Sequence, residues 1–487
     1  MLAASALLTA CAVGPEYRTP VTALPGAFTA QSPPAGGETA TVDLRDWWNR
    51  FNDPELASLI TRALAGNLDL QSAASRMRAA REQEIIAGAA GVPQLNADAS
   101  VNRTRISQNS GISEFADLFG TSQGGGQSGS PGGAPAAAGL GPVGTAFTVY
   151  SLGFDASWEL DVFGGVRRSI EQAQAASEQA VWDARDSEVS LAAEVAHDYL
   201  TLRVLQRQAA IAREEIARQQ QTLALVDARR QFGLVTELDV REQRTQLAAS
   251  QAALPDLHAQ IAAQVHAIGV LLGQAPEALE TELSPAKALP QPPPSVPAGL
   301  PSDLLRRRPD IRAAERSLAG ASAAIGVAVA DLYPKFNLTG ALDLVSIDLS
   351  TLLEASSRQS SASGALSWPI LARRQIHANI RVAEEKDRQA LDTYNATVLR
   401  ALQDVEDSLT RYADEQRKNA ALRRELSEAQ GAADVALAQY KAGLTDFTPV
   451  LTAQGAVLNA RTGLAQSDGA LDTDLVSLYK ALGGGWR

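Results

Sequence analysis

Two runs of 68 residues without a proline constrain the fold of this chain more than any other feature. They cover residues 165–232 and 375–442. At a rise of 1.5 Å per residue, each run would form a helix roughly 100 Å long, far longer than a globular core requires. A heptad register in the first run places apolar side chains at eleven of fourteen a and d positions, namely Val181, Ala184, Leu191, Val195, Leu202, Leu205, Ala209, Ala212, Ile216, Leu223 and Val226. This seam predicts coiled-coil packing.

The chain repeats itself, and the offset between the two halves changes once. Trp158 and Trp368 lie 210 residues apart, whereas Pro93 and Pro334 lie 241 apart. The first half therefore carries 31 extra residues, in an interval that contains the Gly- and Ser-rich tract 120–144. A flexible tract of this kind belongs in a solvent-exposed loop.

Shorter helices accompany the two long ones. Residues 54–90 and 237–272 each predict a helix of about 37 residues, and two such helices end to end match one long helix. The Pro-rich stretch 285–301 cannot be helical and predicts an extended connector between the halves.

Four segments alternate between apolar and polar side chains, which is typical of strands with two different faces. Each is about ten residues long, the length that a tilted strand needs to cross a bilayer. A half-buried sheet of a soluble protein gives the same alternation. The apolar positions are Leu95, Ala97, Ala99 and Val101; Leu152, Phe154, Ala156, Trp158 and Leu160; Phe336, Leu338, Leu342 and Leu344; and Leu366, Trp368 and Ile370. To the polar, lumen-facing set we assign Asp98, Asp155, Glu159 and Asp343 against Arg103 and Lys335, which predicts a mild preference for cations.

Four strands are too few to close a membrane barrel, whose smallest form has about eight. An open edge in lipid would leave backbone groups without partners. Identical subunits must therefore share one barrel, and three copies give twelve strands around a wide aqueous lumen. The helices, arranged as four rods per chain, give twelve rods in the same trimer. The predicted fold class is therefore mainly α with a transmembrane β-barrel: a trimeric 12-stranded barrel continuous with a 12-helix α-barrel, with two structural repeats per chain.

The N-terminal residues predict a targeting signal. Residues 2–10 are apolar or small and end at Leu8-Thr9-Ala10-Cys11, which resembles a bacterial lipobox with acylation of Cys11. In that resemblance, Ala12 indicates onward sorting to the outer membrane. The alternative is a free, buried cysteine in an ordinary signal peptide.

The net charge of -12 argues against nucleic acid as a partner.

Four motifs together resemble the TolC-like outer-membrane factors, in their lipoprotein (NodT-type) branch. They are the stretches 11–17 (CAVGPEY), 47–54 (WWNRFNDP), 304–310 (LLRRRPD) and 440–447 (YKAGLTDF). The resemblance implies a homotrimeric channel in the bacterial outer membrane that extends into the periplasm and is anchored by lipid on Cys11. It implies a periplasmic adaptor and an inner-membrane pump of the RND type as partners, and passive efflux of small molecules. Alternatives are a duct for type I protein secretion or metal efflux, or a non-channel lipoprotein scaffold or adaptor.

The resemblance also implies a gate where the helices turn at the periplasmic tip. These turns fall at Gly233 and Gly443, and the plain interpretation of both glycines is a helix C-cap. Related channels often carry an aspartate just beyond the second turn, but the matching residue here is Thr452. We hypothesise that Asp446, Tyr440 and Asp239 help to hold the tip shut; the alternative is that they are solvated residues at helix ends. Trp158 and Trp368 belong either to an aromatic girdle at the membrane interface or to plain packing at the junction of strands and helices.

The predicted organisation has six segments: a signal peptide (1–10); an acylated periplasmic segment (11–53); a first repeat (54–283) with a hairpin at 94–162, a long helix at 165–232 and a helix at 237–272; a linker (284–301); a second repeat (302–482) with a hairpin at 335–371, a long helix at 375–442 and a helix at 446–482; and a tail (483–487). The sequence carries no nucleophile elbow or phosphate loop. Its histidines, His197, His258, His266 and His377, have no metal-binding spacing. We therefore expect no enzyme, no catalytic residue, no metal and no cofactor beyond the lipid on Cys11.

Overall fold

The computed structural model describes residues 12–22, 24–28, 44–105, 146–290 and 301–486. Cys11 and the tract 120–144 lie outside these residues. The described strands and the described helices of seven residues or more, in chain order, are α1 (Pro54–Gly66), α2 (Leu68–Ala89), β1 (Gln94–Arg105), β2 (Ala146–Leu160), α3 (Gly165–Gln231), α4 (Glu237–Leu271), α5 (Pro301–Arg307), α6 (Pro309–Ala330), β3 (Lys335–Ser346), β4 (Arg358–Ser367), α7 (Arg373–Lys441) and α8 (Thr448–Ala481). The two proline-free runs thus form continuous helices of 67 and 69 residues.

Contacts divide the chain into two compact units that cut across the sequence repeats. One unit comprises Met1–Pro15, Ile85–Ile170 and Ala324–Arg381, and it holds the sheet with the adjoining helix ends. The other comprises Glu16–Glu84, Glu171–Ala323 and Val382–Arg487 and holds the main helical core. The division into two repeats at 54–283 and 302–482 stays a prediction.

The four alternating segments form one antiparallel sheet in the order β1-β2-β3-β4. Two of its pairings are hairpins, and the third joins β2 of the first half to β3 of the second, with Leu152 opposite Leu344. Within the described residues β1 and β4 each have one unpaired edge. An open sheet with two free edges is what the sequence predicted for a single chain.

The predicted continuous helix over 54–90 is wrong, because Asn67 interrupts it. Asn67 accepts a hydrogen bond from the Leu70 amide at 2.9 Å and so caps α2. Its Nδ2 donates to the Leu271 carbonyl oxygen at the end of α4, at 2.9 Å. At the matching position of the second half, Arg308 Nη1 donates to the Ala481 carbonyl oxygen at the end of α8, at 3.0 Å. Each interruption thus caps the end of another helix.

The motif at 47–54 builds part of the helical core. Trp47 is buried and stacks on Tyr479 of α8 at 5.2 Å between ring centroids. Asp53 caps α1 by accepting from the Glu55 amide, and it also accepts from the Tyr199 hydroxyl of α3 at 2.6 Å. The motif is therefore explained by packing and capping.

Residues 483–486, predicted as part of a tail, are packed into the helical unit. The Gly485 amide donates to the Leu44 carbonyl oxygen at 3.0 Å. The Trp486 indole donates to the Arg307 carbonyl oxygen at 2.9 Å and meets Trp182 edge-on. Composition alone gave no sign of this contact.

No helix among the described residues is both long and apolar enough to cross a membrane.

Candidate functional sites

The strand register separates the sheet into one polar and one apolar face. Asp98 lies opposite Gly153, and Gly153 lies opposite Asp343. A Cβ atom on Gly153 would come within 1.9 Å of Asp343 Oδ1, so the absence of a side chain there leaves room for the carboxylate. Asn96 Nδ2 donates to Asp155 Oδ2 at 3.1 Å. The polar face is therefore acidic.

One assignment to this face was wrong. Arg103 pairs with Thr148 without a bulge after Val101, so it shares the apolar face with Leu95 and Val101. Lys335 does lie on the acidic face, because it has the same parity as Asp343. Without Arg103, the acidic face of the sheet keeps one of its two assigned cations, Lys335, so the negative charge of this face is less compensated than predicted.

The apolar face is exposed in the part of the chain that the structure describes. Leu95, Val101, Phe154 and Leu342 are between 54% and 69% exposed. A half-buried soluble sheet packs this face against a core, which this sheet does not do within the described residues. An uncovered apolar face opposite an acidic one is the pattern of strands between lipid and water.

The two tryptophans at the strand ends make matching hydrogen bonds. Trp158 Nε1 donates to the Gly91 carbonyl oxygen at 3.3 Å, and Trp368 Nε1 donates to the Leu332 carbonyl oxygen at 3.1 Å. The acceptors lie 241 residues apart and the donors 210, as the repeat predicts. Trp158 lies on the apolar face of β2, Trp368 directly follows the last residue of β4, and both rings remain partly exposed. Each therefore ties a helix end to a strand end and presents its ring outward.

Both long helices end in the same capping structure. Gly233 and Gly443 have φ angles of 71° and 74°. The Leu234 and Leu444 amides donate to carbonyl oxygens five residues earlier, and the glycine amides donate three residues back. This is a Schellman motif with glycine at C′, where a left-handed backbone is needed.

A matched pair of substitutions tests this role. We expect Gly443→Ala to lower the free energy of unfolding by about 1 kcal/mol, because alanine is strained at positive φ. Gly431→Ala, in the interior of α7, should raise it by roughly 0.5–1 kcal/mol, because alanine favours a helix. A Cβ atom meets no neighbour at either site, so only the backbone distinguishes them. Thermal unfolding followed by circular dichroism measures both changes in the free energy of unfolding. Changes of the same sign in the two variants would contradict the capping role of Gly443.

The structure separates the four gate candidates. Tyr440 is 3% exposed and packs against Phe447 in a small apolar cluster at the turns. Asp239 forms a capping box with Thr236 at the start of α4. Asp446 is exposed, and Thr452 is an exposed helical residue whose hydroxyl donates to the Thr448 carbonyl oxygen. No hydrogen bond joins Asp239 or Asp446 to Tyr440 in the described part of the chain, although the charge of Asp239 contributes to the raised pKa of the Tyr440 hydroxyl.

Sequence reasoning missed Arg229, which joins the two turns. Its Nη1 donates to the Tyr440 carbonyl oxygen at 2.6 Å, and its guanidinium carbon lies 4.6 Å from the centre of the Tyr440 ring. Arg230 and Arg241 form ion pairs with Glu237 across and beyond the first turn. The excess of arginine and glutamate around Gly233 was visible, but only the fold shows that Arg229 reaches the other turn.

The model of the family "Outer membrane efflux protein" matches residues 59–274 and 300–484. The chain belongs to this family. This outer membrane efflux protein is 32% identical over 453 residues to the pyoverdine export outer membrane protein OpmQ of Pseudomonas aeruginosa PAO1, covering 93% of this chain and 90% of OpmQ. It is 28% identical to nodulation protein T of Rhizobium leguminosarum bv. viciae, covering 99% and 92%. The solved outer-membrane channel OprN is 34% identical with a TM-score of 0.85, covering 98% of this chain and all of that one.

The comparisons confirm the resemblance stated from the four motifs, together with the predicted fold class. The outer membrane efflux protein is a channel component of a tripartite efflux system in the bacterial outer membrane, and it extends into the periplasm. It works as a homotrimer with a periplasmic adaptor and an inner-membrane pump. Members of this family are transport channels. The scaffold alternative is thereby set aside.

Proposed function

We propose that this chain is a passive duct for small molecules, gated at the helix turns around Gly233 and Gly443 and anchored by lipid on Cys11. The contact of Arg229 with Tyr440 carries the gate assignment, because among the described residues it is a polar link between the two turns of one subunit. In this proposal the chain is not an enzyme, and the energy for transport comes from a pump of the RND type.

Tyr440 contributes its ring and its carbonyl oxygen to this gate. Burial raises the pKa of the Tyr440 hydroxyl, which has no hydrogen-bond partner in the described chain. The hydroxyl therefore stays neutral, and the cation of Arg229 over the ring provides the electrostatic contact. Asp239 holds the start of α4 through its capping box, whereas the exposed Asp446 is available to a neighbouring copy.

Conductance in planar lipid bilayers tests the gate. We expect Arg229→Ala to raise the current through the resting channel several-fold, because the second turn then loses its charge-assisted hydrogen bond to the first. Asp446→Ala should raise it less. The control is Arg241→Ala, which removes an exposed arginine of the same region that pairs with Glu237 and is not seen to contact Tyr440. Intact trimers of Arg229→Ala with wild-type current would refute the gate assignment.

The cargo is a small molecule in this proposal, with cationic solutes favoured. Relatives bear the names of pyoverdine export, cation efflux and toluene efflux proteins. The acidic strand face, with Asp98, Asp155, Glu159 and Asp343 against Lys335, supports a mild preference for cations. Two or more acyl chains on Cys11 would provide a stable anchor.

A further inference from the structure

The residues that follow Cys11 are docked in a narrow slot within the sheet-containing unit. The Val13 amide donates to the Phe163 carbonyl oxygen at 3.0 Å, and the Val13 carbonyl oxygen accepts from Arg168 Nε at 3.2 Å. Arg168 itself is only 5% exposed. Both backbone polar groups of Val13 are thus satisfied, one by the side chain of Arg168 in the first turn of α3 and the other by the backbone of the loop before it.

Glycines make this slot narrow enough to fix the segment. Gly14 has a φ of +91°, and a Cβ atom on it would lie 2.5 Å from Gly326 Cα in α6. Gly164 has a φ of +82°, and a Cβ atom there would lie 2.6 Å from Ala12 Cα. A Cβ atom on Gly326 would meet Arg168 Cγ at 2.6 Å. Backbone packs on backbone at Gly14 and Gly164, and Gly326 leaves room for the Arg168 side chain, so the segment has one position and no room to slide.

The slot lies where strands change into helices. β2 ends at Leu160 and α3 begins at Gly165, while α6 ends at Ala330 and β3 begins at Lys335. The connecting loops are joined by Phe163 and Tyr333, whose rings stack at 4.6 Å.

The partly exposed indoles of Trp158 and Trp368 mark the same junction. Trp158 bonds to the Gly91 carbonyl oxygen between α2 and β1, and Trp368 bonds to the Leu332 carbonyl oxygen in the loop that carries Tyr333. Exposed tryptophans beside an apolar strand face are typical of the level at which a bilayer meets water.

We propose that Ala12–Pro15 and this slot form a seat that delivers the lipid anchor to the periplasmic leaflet at the level of Trp158 and Trp368. The inference rests on the proposed lipidation of Cys11. A group attached directly before Ala12 leaves from the strand–helix junction, so its acyl chains enter the leaflet beside the sheet. The anchor then sets the depth of the sheet and acts as more than a loose tether.

An insertion of eight residues between Cys11 and Ala12, the first an Ala and the others Gly and Ser, separates the lipid anchor from the seat. Cys11 and the residues of the seat are themselves unchanged. In the full-length chain, we expect the fraction of heat-resistant trimer in outer-membrane preparations to fall several-fold. The same insertion after Val21, which is fully exposed, keeps the anchor seated and should leave that fraction unchanged. Gly14→Leu, which unseats the segment without lengthening it, should behave like the first insertion.

The mass of the N-terminal peptide separates this inference from the proposed lipidation. An unmodified wild-type Cys11 would overturn both. A fully acylated first insertion with wild-type levels of trimer would overturn the seat alone, and so would an equal loss in the Val21 control. Acylated protein with few trimers in the first insertion and in Gly14→Leu, but not in the control, supports the seat.

Discussion

Leu342→Arg should abolish assembly of the channel in the outer membrane, whereas Ala341→Arg at the preceding position should leave assembly intact. Leu342 is 59% exposed and lies on the apolar face of β3 opposite Phe154. An arginine at the middle of a lipid-facing strand costs about 2–4 kcal/mol, and three copies bring this to roughly 6–12 kcal/mol per trimer. Ala341 lies on the polar face opposite Asp155, where an arginine enters water beside a carboxylate.

Heat-resistant trimers in outer-membrane fractions measure this difference directly. The two variants add the same side chain to neighbouring positions, so local strand propensity and net charge are matched. Normal trimer levels for Leu342→Arg, or equal loss of trimer for both variants, would contradict the assignment of the two faces.

Asp472→Asn should stabilise the helical unit by several kcal/mol at pH 8 and by almost nothing at pH 4. Asp472 of α8 is 1% exposed, and neither of its carboxylate oxygens has a hydrogen-bond partner in the described chain. Burial, with a further contribution from Asp468, raises the pKa of Asp472 to about 8 from an ordinary 3.8. A difference of this size corresponds to on the order of 5 kcal/mol.

The direction follows from proton binding. Below pH 4 both the folded and the unfolded chain carry a protonated Asp472, so the carboxyl adds no pH dependence. Between about pH 4 and pH 8 the unfolded chain releases the proton and the folded chain retains it, so the wild-type protein loses stability as pH rises. The neutral amide of asparagine removes that loss.

Unfolding midpoints of the wild type and the variant, followed by circular dichroism at pH 4 and pH 8, test this expectation. Asp414→Asn is the control, because Asp414 is an exposed carboxylate of α7 that pairs with the exposed Arg417. Its effect should be small at both pH values. If the unfolding midpoint of Asp472→Asn changed between pH 4 and pH 8 by as much as that of the wild type, Asp472 would not be a buried acid.

The long helices and the strands could be predicted because their signals are local. Absence of proline and a heptad seam specify α3, and period two specifies the strands. Arg103 was misplaced because its charge suggested the lumen, whereas its parity from Val101 puts it on the apolar face. The local rules also missed the break at Asn67, because the hydrogen bond that stabilises it is to Leu271, more than 200 residues away.

The candidate sites were harder to predict because their contacts are long-range. Gly233 and Gly443 carry their own signal, since a glycine after a long helix is a C-cap. Arg229 carries none, because its partner Tyr440 is 211 residues away. Asp239 looked like a gate residue by position, yet its hydrogen bonds are with Thr236, three residues before it. The packing role of Trp486 depends on Arg307 and Trp182, which local patterns do not connect to it.

The stoichiometry of the purified protein tests the central claim most directly. The sheet has free edges on β1 and β4 within the described chain, and a closed ring in lipid requires identical copies to pair them. Native mass spectrometry from detergent, on a sample that forms pores in bilayers, should give three times the mass of the lipidated chain. Pores formed by a monomer or a dimer would contradict the account.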